Sequence, residues 1–243
     1  MSRPPVRLYV DQPLTVGTVL DLGAEPSSYL TRVMRLALGD DILVFNGRDG
    51  EHLAAIVEAD RRACRIQSKE MVRAQTSGPD IDYLFAPLKR ARLDYMVQKA
   101  TELGVRRMRP VLTAHTQVER VNLDRMRANV IEAAEQCGVL WLPDVLEPLS
   151  LEALLATWDH GRRLIFADEA APSASPISAL SCLGPGPLAV LVGPEGGFSP
   201  EERQLLAGQE FVTGISLGPR IMRADTAAVA ALSLVNAVLG DWQ

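Results

Sequence analysis

The chain has 243 residues, of which 47% are hydrophobic and 23% charged, with a formal net charge of -5. This composition excludes a disordered, collagenous or coiled-coil chain, and no apolar run approaches the roughly 18 residues of a membrane helix. Cys64, Cys137 and Cys182 form no CxxC pair and suit a reducing compartment; His52, His115 and His160 are scattered, so no metal site is expected. The opening Met-Ser-Arg-Pro-Pro lacks the apolar core of a signal peptide, and a cytoplasmic protein without a membrane partner is expected.

The charge is uneven. Residues 86–127 hold ten basic and four acidic side chains, net +6, in an otherwise acidic protein. Such a segment is either a solvated surface with its acidic partners folded nearby or a face for phosphates.

Short runs rich in Val and Ile predict strands at Val6–Val10, Ile42–Asn46, His52–Glu58 and Cys64–Val72. Between them, Leu30, Val33, Met34 and Ala37 mark one face of a helix predicted over Ser28–Leu38, with Arg32 and Arg35 off that face. Asn46-Gly47-Arg48-Asp49-Gly50 is a turn. A small barrel over residues 1–74 fits this pattern. The polar stretch Ala74–Asp80, with Gly-Pro near its end, is the linker candidate.

From residue 80 to 243 the pattern alternates. Strands are predicted at Ile81–Ala86, Met108–Thr113, Arg163–Ala167, Leu188–Gly193 and Phe211–Leu217. Leu93, Met96, Val97, Ala100 and Leu103 stripe one helix, ended by Gly104; Leu123, Met126, Val130, Ala134 and Cys137 stripe the next, ended by Gly138. Alternation predicts an α/β domain with a largely parallel sheet.

Two loops carry chemical information. In Leu191-Val-Gly-Pro-Glu-Gly-Gly-Phe-Ser-Pro-Glu-Glu202 a buried strand runs into glycines, and a helix follows with Ser199 as N-cap, Pro200 at its first position and Glu202 closing a capping box. Glycines let backbone approach a ligand, and loops at the carboxyl ends of parallel strands bind ligands. The chain has no GxxxxGK[ST], no GxGxxG after an early strand and no GxSxG, which removes P-loop, dinucleotide and hydrolase readings. In Leu217-Gly-Pro-Arg-Ile-Met-Arg-Ala-Asp-Thr-Ala227 a strand again ends in Gly-Pro before a helix that Asp225 or Thr226 can cap. That helix, Ala227–Leu239, is apolar nearly all round, so it is buried on all sides or sits in a subunit interface. Arg220 and Arg223 either pair with Glu195, Glu201 or Asp225, or face a ligand or RNA phosphate.

LVGPEGGFSPEE followed by LGPRIMRADTAAVAAL resembles the ribosomal RNA small-subunit methyltransferase E family, of the SPOUT superfamily. Leu30-Thr-Arg-Val-Met-Arg-Leu36, Gly39-Asp40 and Phe45-Asn-Gly47 resemble its amino-terminal PUA-like barrel. Lys89, Gln98-Lys-Ala-Thr-Glu-Leu-Gly-Val105 and Glu132-Ala-Ala-Glu-Gln-Cys-Gly138 resemble its catalytic domain. The resemblance implies an α/β, SPOUT-type, trefoil-knotted parallel-sheet domain after a small PUA-like β-barrel, and a homodimer. It implies methyl transfer from S-adenosyl-L-methionine to N3 of one uridine in 16S rRNA of the small ribosomal subunit, a step of ribosome biogenesis. Ala167, Gly193, Pro194, Glu195, Gly196, Gly197, Leu217, Gly218, Ile221, Met222, Arg223 and Ala224 are then expected around the cofactor.

Arg223 first, and Arg220 second, are expected to stabilise the uracil anion, with Glu195 as a base or as the holder of an arginine. Arg32, Arg35, Lys89, Arg90, Arg92 and Lys99 are expected on RNA phosphates. Because Lys89 and Arg92 lie outside both glycine loops in sequence, RNA and cofactor binding are expected to separate. The chain departs from the family in Val139, where Arg is usual, and in Arg223-Ala-Asp-Thr226, where Arg-Thr-Glu-Thr is usual. Two alternatives follow: an RNA-binding protein of altered catalysis, and a methyltransferase acting on another RNA position.

Overall fold

The computed structural model describes residues 6–118, 120–169, 171 and 175–242. The opening Met-Ser-Arg-Pro-Pro lies outside the described residues. The chain forms two compact units: Met1–Ser77 with Ala134–Trp141, and Gly78–Ala133 with Leu142–Gln243.

The first unit is built on one five-stranded sheet: β1 (Arg7–Tyr9), β2 (Val19–Asp21), β3 (Asp41–Phe45), β4 (Glu51–Glu58) and β5 (Arg65–Arg73), in the order β1-β3-β4-β5-β2. β1 runs parallel to β3, and the other pairs are antiparallel. Alternation sets the inner face: Ile42, Val44, Ala54, Ile56 and Ile66 are buried together with Leu8, Leu20 and Leu30. Asn46 makes the β3–β4 turn by accepting the N–H groups of Arg48 and Asp49 on its Oδ1.

The helix of this unit differs from its prediction. α1 (Ala24–Ser28) starts earlier and passes into a π-helical turn, Tyr29–Val33. Of the expected face only Leu30 is fully buried, and Val33 is 66% exposed. The chain turns at Arg35, which takes φ of 58°, the left-handed region unfavourable to a residue with a Cβ. That turn ends the helical spacing, and Leu36 packs on the core in place of Val33.

Residues 134–141 are held by β1 and by the end of β5. Arg7 donates to the carbonyls of Ala134 and, at 2.6 Å, Val139. The Tyr9 N–H donates to Glu135, and Gln75 donates to the Leu140 carbonyl at 3.1 Å. Val139 thus contributes its backbone carbonyl to this anchorage.

The second unit is a parallel sheet: β6 (Ile81–Phe85), β7 (Arg107–Leu112), β8 (Asp144–Val145), β9 (Leu149–Ser150), β10 (Arg163–Ala167), β11 (Leu188–Val192) and β12 (Val212–Ile215). The order is β12-β10-β11-β6-β7-β8, with β9 also beside β7, and every pairing is parallel. The helices are α2 (Arg90–Glu102), α3 (Leu123–Cys137), α4 (Leu151–Ala156), α5 (Pro176–Ser181), α6 (Pro200–Ala207) and α7 (Ala224–Leu239). Tyr83, Phe85, Met108, Ile165 and Val190 form one core with Met96 and Val97 of α2 and Leu232 and Val235 of α7. Leu84, Leu164, Phe166 and Leu191 form another with Leu154 of α4 and Leu206 of α6. Successive residues of a strand face opposite ways, so this sheet is covered on both faces, as parallel sheets are.

α7 is more one-sided than expected. Leu232 and Val235 lie in the core of the unit, Val235 at 0% exposure, while Val229, Leu234 and Val238 are partly exposed. The cap also differs: Arg223 is the N-cap, with no side-chain cap bond, and Asp225 lies inside the first turn. Deep in this helix Asn236 donates to the Leu103 carbonyl at 2.8 Å, and its Oδ1 is buried without a partner among the described residues. Among the described residues no helix is long and apolar enough to cross a membrane.

Candidate functional site

β10, β11 and β12 are neighbours running the same way, so their carboxyl ends open side by side. The loops that leave them enclose a solvent-open cleft of about 620 Å³.

The β11–α6 loop forms one wall. The Gly197 N–H donates to the Pro194 carbonyl at 2.9 Å, closing a turn, and Gly197 takes φ of 68°. Gly193 has no room for a side chain: a Cβ there would lie 2.6 Å from the Phe198 ring. The expected capping box is present. Ser199 Oγ accepts the Glu202 N–H at 3.2 Å, and Glu202 Oε2 accepts the Ser199 N–H at 2.8 Å. Glu202 is buried, and its other oxygen accepts the Ala114 N–H at 2.7 Å.

Of the residues expected around a cofactor, Ala167, Gly193, Pro194, Glu195, Gly197, Leu217, Gly218, Ile221, Met222 and Ala224 line the cleft, as does Arg220. Gly196 and Arg223 are not among the lining residues. Gly196 faces elsewhere, because a Cβ on it would lie 3.3 Å from His115 Cβ. Arg223 is exposed at the N-cap of α7.

Sequence reasoning missed Asp168, Glu169, Phe198 and Arg203, which also line the cleft. Arg203 pairs with Asp168 at 2.9 Å and with Glu169 at 3.2 Å, joining α6 to the end of β10. The acidic pair directly after a predicted strand was the available signal, since ligands collect at carboxyl ends of parallel strands. Its ion-pair partner, thirty-four positions on from Glu169, left no local pattern.

The acidic partners proposed for Arg220 and Arg223 are otherwise engaged. Glu195 pairs with Arg92 at 2.6 Å, Glu201 accepts from Ser199, and Asp225 from the Thr226 N–H. Arg92, outside both glycine loops in sequence, therefore touches the β11–α6 turn in space.

Lys89 and Arg90 are exposed at the start of α2, and neither has a carboxylate within ion-pair distance among the described residues. With no acid in the first turn, Lys89 and Arg90 oppose the helix dipole. An anion bound there relieves both that field and their mutual repulsion. Lys99 is tied along its helix to Glu102 at 2.7 Å. Arg32 and Arg35 are exposed in the first unit. Among the described residues no group of three or more His, Cys, Asp or Glu is placed to hold a metal ion.

The family model described as RNA methyltransferase domain matches residues 76–236, and the RNA methyltransferase PUA domain matches residues 23–67. Ribosomal RNA small subunit methyltransferase E of Rickettsia conorii is 30% identical over 95% of this chain and 94% of its own length. The Bacillus subtilis protein of the same name is 27% identical over 93% of this chain and 92% of its own length. A crystal structure of that methyltransferase from Neisseria gonorrhoeae, bound to S-adenosyl methionine, superposes with a TM-score of 0.86 at 27% identity, covering 98% of this chain and 100% of that one. With its parallel-sheet unit and its PUA-type unit, the chain belongs to the RNA methyltransferase family.

Proposed function

We propose that this chain transfers a methyl group from S-adenosylmethionine to N3 of one uridine in the RNA of the small ribosomal subunit. The observation that carries the reading is one cleft, walled by the loops after β10, β11 and β12, joined through Arg92–Glu195 to a cationic helix start. The relatives named above are small-subunit rRNA methyltransferases, and one of them binds S-adenosylmethionine.

The residues present suit such a cofactor. Val192, Leu217, Ile221 and Met222 give apolar surface for a base, and the glycine turns bring backbone groups within reach. Asp168 and Glu169 share one guanidinium, Arg203, so this side of the lining keeps one net negative charge toward a cationic ligand. When bound, the cofactor supplies an electrophilic methyl group on a sulfonium. The chain's own part is to bind, align and stabilise charge. Alignment of the uracil against the cleft supplies much of the rate. The N3–H is weakly acidic, so the nucleophile is an imide anion; Arg223, and Arg220 beside it, offer the cations that favour it. Glu195, held by Arg92, fixes the loop. Arg32, Arg35, Lys89, Arg90 and Lys99 hold phosphates without reading sequence, and the target base leaves its stack before it meets the cleft.

The same reading assigns residues 1–74 to an RNA-binding barrel and 80–243 to a methyl-transfer domain with a trefoil knot, acting as a cytoplasmic homodimer. Mass spectrometry of small-subunit rRNA nucleosides, with and without the gene, tests it. Loss of 3-methyluridine on deletion supports the reading. An unchanged profile, or loss of a ribose methylation instead, overturns it.

A further inference from the structure

The β11–α6 turn contains two adjacent glycines, Gly196 and Gly197, of which Gly197 lines the cleft and is in the left-handed region. Glycines lose more backbone freedom on ordering than any other residue, so such a turn keeps one shape only if something outside it fixes its peptide planes. The Pro194–Gly197 bond fixes one end. Arg92 holds the Glu195 side chain, and the loop after β7 holds the two glycine carbonyls. His115 Nδ1 lies 3.0 Å from the Gly196 carbonyl and 3.1 Å from the Gly197 carbonyl. Both neighbours are acceptors, so this nitrogen carries the proton and donates to both.

We propose that His115 is a positioning residue for methyl transfer: its Nδ1–H clamps two successive carbonyls of the cofactor-side turn and so sets the shape of the cleft wall. His115 does not line the cleft, and it acts only through the loop. A planar trans peptide points its N–H opposite to its C=O, and the described chain has no cis bond. Holding the Gly197 carbonyl at His115 therefore directs the Phe198 N–H away from His115, and Phe198 lines the cleft.

The imidazole is itself held in place by backbone. Thr113 and Thr116 close a turn around it, with the Thr116 N–H on the Thr113 carbonyl at 3.0 Å. Ala114 is fastened to the buried Glu202. These bonds survive a change of the side chain at 115, so a substitution there removes the clamp and leaves the loop. The proposal rests on the cofactor reading of the cleft.

Three variants test it. An asparagine at 115 puts an amide N–H where Nδ1 is, a glutamine puts it one bond further out, and an alanine removes it. Calorimetric titration with S-adenosylmethionine should show about tenfold weaker binding for His115→Ala and His115→Gln, the loss expected for a shared hydrogen bond of ordinary strength. His115→Asn should stay within about threefold of the parent. Thermal midpoints should agree among all four proteins, because the ring is exposed. In the unliganded parent, nitrogen NMR should find His115 as the Nδ1–H tautomer. Equal affinity for all four proteins, failure of Asn to rescue, a matching fall in thermal midpoint, or an Nε2–H tautomer each overturns the clamp. A parent that does not bind S-adenosylmethionine overturns the cofactor reading and the clamp with it.

Discussion

Arg92 and Glu195 meet at 2.6 Å, which ties the first turn of α2 to the glycine turn after β11. Both side chains are substantially exposed, so the pair is worth only a fraction of a kcal/mol, about 0.2–1. Its importance is geometric. A carboxylate engaged by a guanidinium is poorly placed to take a proton. Glu195→Gln should therefore change single-turnover methyl transfer by less than about threefold, because the amide oxygen can still accept from Arg92. A loss of a hundredfold or more would make Glu195 a general base.

The arginines of the second glycine loop should separate by effect. Arg220 lines the cleft and Arg223 does not. Arg220→Ala should weaken S-adenosylmethionine binding several-fold. Arg223→Ala should leave that affinity within about twofold and lower the rate at saturating cofactor by at least tenfold, since its charge is needed only as the uracil anion forms. Equilibrium binding and single-turnover rates on the same samples decide this.

RNA affinity should depend on Lys89 and Arg90, which have no carboxylate partner among the described residues. Lys89→Ala with Arg90→Ala should reduce the slope of log affinity against log salt by roughly 1.4, two phosphate contacts on a single strand. Cofactor affinity should be unchanged. Filter binding across a salt series measures the slope, and an unaltered slope removes these residues from the RNA contact.

Position along α7 should distinguish folding from assembly. Val235 is fully buried in the core, so Val235→Glu should cost at least about 3 kcal/mol and report on stability. Val229 is partly exposed; if the proposed homodimer pairs through this face, the parent should sediment as a dimer and Val229→Glu as a folded monomer. A stable dimer of the Val229 variant would move the interface elsewhere.

Asp94 is one of the carboxyls through which acid should act on stability. Hydrogen bonds and charge from Arg125, with help from Asn129, hold the Asp94 carboxyl below its usual range. A carboxyl with a depressed folded value stabilises above its unfolded pKa, and that contribution is lost as pH falls through the unfolded and then the folded value. Asp94→Asn should lower stability at neutral pH and flatten its decline below about pH 4. Denaturant titrations at pH 7 and pH 3 check both parts.

Elements with strong periodicity or strong punctuation were legible. β10 spans Arg163–Ala167 as predicted, α2 buries Leu93, Met96, Val97 and Ala100, and Ser199 and Glu202 form their box. Those signals lie within a few residues of one another. β2 escaped because it has three residues and only Leu20 is buried. The helix near Leu30 was misplaced because a π-helical turn breaks the 3.6-residue spacing on which the prediction stood. In the cleft, the glycine loops were legible from composition. Arg203 on Asp168, Arg92 on Glu195 and His115 on the glycine carbonyls were not, since each joins residues far apart in the chain.

The central sheet pairing joins Ile81 to Leu188, with β6 between β7 and β11. β6 leaves the ribosome more than a hundred residues before its partner. Until β11 arrives, one edge of β6 presents unpaired N–H and C=O groups, a template for wrong partners. Closing so long a loop costs entropy before the pairing repays it, which slows formation of this sheet. The residues that finish the cleft, those after β11, are also the ones that complete the sheet, so the site forms only as folding ends.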